Sequence, residues 1–112
     1  MDNDVKLKLD ELINLIKSSD LYPKYQSSKS NIAENKETTS LLNTYKNLSS
    51  KLQKRAIEGL EPDDEDVKRF TSFSLIAFDN EDIVNYISSE ITMQNRLSEI
   101  IRYMCNELDI EL

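Results

Sequence analysis

The side chains most often used for chemistry are scarce in this chain, and their scarcity narrows its function. There is no histidine among the 112 residues, which removes Ser-His-Asp and Cys-His nucleophile systems and histidine metal sites together. A single glycine, Gly59, rules out a Walker loop or a dinucleotide fingerprint. Carboxylates are plentiful, but none is spaced against a recognisable acid/base partner. The inward Glu-x-x-His pairs of a di-metal bundle are missing too. The run Asp63-Asp64-Glu65-Asp66 lacks the glycine and spaced ligands of a calcium loop and reads as a helix start, where carboxylates meet free backbone N–H groups. Cys105 is the only thiol. It reads as a small core side chain, since one thiolate is far short of a four-cysteine cluster. The expectation is no catalytic residues, no cofactor and no metal, and a protein that works by binding another protein.

Two further clusters have a sharper and a blander reading. Lys46, Lys51, Lys54 and Arg55 form a basic helix end. With one aromatic nearby, Tyr45, it reads first as a solvated face and second as a small nucleic-acid-binding module. Glu90 and Gln94 lie one turn apart on or beside an apolar seam. They either fix register and oligomeric state or stand at its edge in water.

These residues must be positioned by helices. One Gly and two Pro cannot supply the turns of a sheet protein of this length, and the abundant Leu, Glu, Lys, Ser, Ile and Asn suit helices and their caps. The first helix is expected from about Asp4 to Ser18, on Val5, Leu9, Leu12, Ile13 and Ile16. A second, weakly apolar one runs from about Pro23 to Glu34. Asn35 caps a third that ends before Gly59, with a seam of Leu41, Tyr45, Leu48, Leu52 and Ala56. A fourth follows the acidic run to Phe78, burying Val67, Phe70, Ser74 and Ala77 with Phe73, Leu75 and Phe78 broadening its face. The fifth extends from Glu81 to about Leu108, with a seam of Ile83, Ile87, Ile91, Gln94, Leu97, Ile101, Met104 and Leu108.

The third and fifth helices would be about 35 and 39 Å long, whereas a compact body of this size has a radius of gyration of about 13 Å. The expected fold is therefore all-α, a single domain over residues 1–112. It is an elongated bundle of about five helices in which the two long ones form a hairpin. Apolar residues beyond one seam, Tyr86, Ile100 and Tyr103 with Glu90, Gln94 and Leu97, are the candidate interface. The expected partner is a second copy, giving a homodimer, or a related helical chain.

Charge divides unevenly. Residues 1–56 hold ten basic and seven acidic side chains, and residues 57–112 hold four and fourteen, which gives the net −7. An acidic chain is a poor polyanion binder, so no direct nucleic-acid contact is expected. The acidic N-terminus has no signal-peptide pattern, and no apolar stretch approaches a membrane span. With one cysteine, a cytoplasmic location and no membrane partner are expected.

Several segments taken in order resemble a known family. They are Leu12-x-x-Leu15-Ile16-x-x-Ser19-x-x-Tyr22-x-x-Tyr25, Asn35-Lys36-Glu37 before Leu41-Leu42-x-x-Tyr45, and Gly59 ahead of an acidic helix start. The last is Asp79-Asn80-x-x-Ile83-Val84-x-Tyr86-Ile87 leading to Glu90 and Gln94-x-x-Leu97-x-x-Ile100. Together they resemble the YlbF/YmcA (control of competence regulator) family over nearly the whole chain. The resemblance implies a small, helical, dimeric or heteromeric cytoplasmic regulator of Gram-positive-type bacteria, without enzymatic activity. It also implies a role in competence, sporulation and biofilm development through an mRNA-processing complex. Some members carry iron–sulfur clusters on cysteines; this chain has Cys105 alone.

Overall fold

A computed structural model describes residues 1–111, and all of the regular structure among them is helical. The order is α1 (Asn3–Lys17), α2 (Leu21–Ala33), α3 (Lys36–Ile57), α4 (Asp64–Phe78) and α5 (Glu81–Glu107). Polar side chains start three of these helices. Asn35 Oδ1 accepts the Thr38 N–H at 3.0 Å, Asp63 Oδ1 the Glu65 N–H at 2.9 Å, and Asn80 Oδ1 the Ile83 N–H at 3.1 Å. Each satisfies a donor that the first helical turn leaves without a backbone partner.

The helix ends are equally specific. Gly59 takes φ 73°, its N–H reaches the Ala56 carbonyl at 3.1 Å, and the Leu60 N–H reaches Arg55 at 2.9 Å. This left-handed stop satisfies two terminal carbonyls. Asp109 does the same after α5 at φ 57°, with the Ile110 N–H donating to the Cys105 carbonyl at 2.9 Å. Ser18 and Ser19 close α1 through their hydroxyls, which donate to the carbonyls of Asn14 (2.8 Å) and Ile16 (2.6 Å).

The chain divides into two compact units, one formed by Ser28–Ile87 and the other by Met1–Ser27 with the described residues from Ser88 onward. In the Ser28–Ile87 unit α3 packs along α4. Its core is Ile32, Leu42, Leu48, Ala77, Ile83 and Tyr86, together with the buried polar residues Ser28, Thr38 and Asp66. The Tyr45 ring stacks on Phe70, with centroids 5.5 Å apart, and meets Phe78 edge-on at 5.6 Å, arrangements that suit the ring quadrupole. The Thr39 hydroxyl donates to the Ile32 carbonyl at 2.9 Å and ties the end of α2 to the start of α3.

Burial departs from the expected seams in three places. In α3 the buried residues are Thr38, Leu42 and Leu48, Leu41, Tyr45 and Leu52 are half-buried, and Ala56 is exposed. Besides α4, which packs along it, α3 meets the Ile32 carbonyl through the Thr39 hydroxyl and the Tyr86 ring through Lys46. In α4 the inward stripe is Asp66, Phe70, Phe73 and Ala77, and Val67 lies outside at 38% exposure. Asp66 takes the inward position because Lys51 of α3 meets it at 2.9 Å. In α5 only Ile83 and Tyr86 are buried, while Ile91, Leu97, Ile101, Met104 and Leu108 are exposed.

Candidate interaction surfaces

The six residues expected to form one interface are separated by the structure. Tyr86 is core. Lys46 Nζ stands 4.7 Å above its ring centre and donates to its hydroxyl at 3.3 Å, so the ring belongs to the Ser28–Ile87 unit rather than to a free face. Glu90 is half-buried and Gln94 is exposed. Ile100 is half-buried and lines a groove of about 600 Å³ with Leu15, Ile16, Leu21, Met93 and Arg96. Tyr103, at 68% exposure, and Leu97 stand open.

Leu97 has different companions. Leu97, Ile101, Met104 and Leu108 recur at intervals of four, three and four residues and share one helical face. All four are at least 45% exposed. On α1, Leu9, Leu12 and Ile16 are half-buried, Val5 and Ile13 are exposed, and no residue of the helix is fully buried. The unit of α1, the start of α2 and the rest of α5 thus consists of amphipathic helices with apolar faces only partly covered.

The basic end of α3 is engaged within the fold. Lys46 sits on Tyr86, Lys51 pairs with Asp66, and Arg55 Nε donates to the Glu61 carbonyl at 2.9 Å. Three of the four cations proposed for a polyanion site therefore have internal partners, and among the described residues only Lys54 stands without one. Cys105 is half-buried. Among the described residues no group of three or more His, Cys, Asp or Glu side chains is placed to hold a metal ion, and no helix is long and apolar enough to cross a membrane.

One surface was not singled out from sequence. Val67, Leu75 and Phe78 on α4 are exposed, at 38%, 73% and 52%. The spacing is legible in the sequence, which puts Val67 inside and has Leu75 and Phe78 broaden the apolar face, because nothing in the sequence says which side of α4 meets α3.

Five helices, three of them started by side-chain caps, describe an all-α protein. Residues 5–109 match the family described as control of competence regulator ComK, YlbF/YmcA, and the chain belongs to that family. It is similar to a UPF0342 protein of Halothermothrix orenii, 28% identical over 100 residues, covering 89% of this chain and 85% of the relative. A UPF0342 protein of Caldicellulosiruptor saccharolyticus is 24% identical over 101 residues, 90% of this chain and 84% of that one. A solved protein of unknown function (DUF964) from Bacillus stearothermophilus shares the fold, with TM-score 0.76 over 96% of this chain and 94% of its own, at 11% identity.

Proposed function

We propose that the chain is a cytoplasmic, non-enzymatic regulatory adaptor that works by protein–protein contact. Its first partner is a second copy of itself or a related helical chain, and the assembly acts on an RNA-processing complex of the kind the family resemblance implies. The observation that carries this reading is the apolar stripe Leu97, Ile101, Met104 and Leu108 in a unit where no described residue is fully buried. Exposed apolar surface of this extent marks association.

Sedimentation at micromolar concentration tests the association, with a dimer or a larger complex expected; a monomer at 100 µM would remove the self-association part. Affinity purification from native lysate with mass spectrometry tests the adaptor part, with ribonuclease-complex components expected. Recovery of RNA alone, or a gel shift at low salt, would favour polyanion binding instead.

A further inference from the structure

The α5 stripe reads the same in both directions. Leu97, Ile101, Met104 and Leu108 are spaced by four, three and four residues. A second α5 laid antiparallel therefore sets Leu97 against Leu108 and Ile101 against Met104, and the two-fold axis repeats both contacts. All four residues lie in one unit and are at least 45% exposed.

The rows beside the stripe decide direction. One residue before each member stand Arg96, Ile100, Tyr103 and Glu107; one residue after stand Ser98, Arg102, Cys105 and Asp109. Each row borders the stripe on its own side. The first has a cation at one end and a carboxylate at the other, eleven residues or roughly 16 Å apart. In an antiparallel pair each row meets its own copy. Arg96 then opposes Glu107 and Ile100 opposes Tyr103, while in the second row Ser98 opposes Asp109 and Arg102 opposes Cys105. No like charges meet. A parallel pair joins the first row to the second instead, and sets Glu107 beside Asp109 of the other copy. Glu99, two residues past Leu97, lies on the far side of the helix.

Both ends of the first row are available. Arg96 and Glu107 are exposed, and neither has an ion-pair partner among the described residues. Arg96 borders the groove that also holds Asp20 and Glu99, yet pairs with neither. A row whose two ends are complementary to each other matches itself after a two-fold rotation, so charge here selects a second copy.

We propose that two copies of the chain pair through antiparallel α5 helices, Leu97 on Leu108 and Ile101 on Met104, with Arg96 joined to Glu107 at both ends. The proposal rests on the self-association reading for the existence of the pair, and adds its direction and register.

The test is sedimentation equilibrium at low salt on the full chain and its charge variants. The parent is expected to dimerise at micromolar concentration. Arg96→Glu and Glu107→Arg each set like charges together at both ends, and each is expected to raise the dimer dissociation constant roughly tenfold or more. Both sites are exposed, so thermal melts of dilute protein are expected to match the parent. The double variant R96E/E107R restores opposite charges at the parent's net charge of −7, and is expected to return to within about threefold of the parent. An equimolar mixture of the two single variants is expected to associate as the parent does, because each supplies the charge that the other lost. Single variants that associate like the parent, or a double variant no better than the singles, overturn the antiparallel register and leave self-association standing. A parent that stays monomeric at 100 µM overturns the self-association reading and this pairing with it.

Discussion

The two units of this chain are made from the same kind of helix and differ in how completely they bury it. Every fully buried residue described, from Ser28 to Tyr86, lies in the Ser28–Ile87 unit, and so do all three phenylalanines. There Phe70 and Phe78 meet Tyr45, Asp66 finds Lys51, and Tyr86 finds Lys46. The other unit holds as regular a helix pattern but no fully buried side chain, and its apolar residues are mostly the aliphatic Leu, Ile, Val and Met. Helix periodicity therefore reports that a face wants cover; it does not report whether the same chain supplies it. Large aromatic rings close a small core because each removes so much area at once. The other unit has no phenylalanine; its rings are Tyr22, Tyr25 and Tyr103, none of them fully buried, and its apolar stripe stays open.

The largest test of this contrast is Ile83→Ala. Ile83 is 0% exposed, so the truncation should cost about 3 kcal/mol through lost transfer energy and an unfilled cavity. Urea unfolding checks this, and a loss below about 1 kcal/mol would mean that the core is less closed than its burial implies.

Next comes Lys51→Met, which leaves the Asp66 carboxylate, 6% exposed, without its cation. The Lys51 side chain is 58% exposed, so solvent weakens the pair, and the expected loss is about 1–2 kcal/mol. Adding Asp66→Leu should restore most of it, since the unpaired charge rather than the missing attraction carries the penalty. A double variant less stable than the single would break that account.

The two left-handed helix stops allow a matched comparison, one in each unit. Gly59→Ala should cost about 1 kcal/mol, because an added Cβ meets nothing within 4 Å and only the φ of 73° opposes it. Asp109→Gly should gain up to about 0.5 kcal/mol by relieving the same strain. Amide exchange in the last turn of α5 reports that gain even if global unfolding does not.

Ile101→Ala should change folding least, by under about 0.5 kcal/mol in dilute protein, since the side chain is 49% exposed. Its effect should appear in association instead, as a loss of the concentration dependence of Tm. A large, concentration-independent destabilisation would place Ile101 in a core and erase the distinction between the units.

Much of the fold was legible because it is local. Asn35, Asp63 and Asn80 act at helix starts through side chains that reach only two or three residues ahead, and Gly59 stops α3 through its own backbone freedom. Five helices follow from those signals and from period. The candidate interface was less legible. Tyr86 looked like a surplus apolar residue on α5, yet Lys46, forty residues earlier, covers its ring. Val67 looked inward and Asp66 outward, and the structure exchanges them, because a carboxylate can be buried when a particular lysine is opposite it. No periodicity encodes that lysine.

By itself, then, the sequence determined helix number and, to within about two residues, helix limits, with α2 beginning at Leu21 rather than at Pro23, since these depend on residue types and on neighbours within a turn or two. Tertiary structure alone decided that α4 lies along α3, that Tyr86 is core, and that the α4 and α5 stripes stay open. Each of those depends on which of several equally apolar faces meets another, a choice made by long-range packing and pairing energies that no single helix contains.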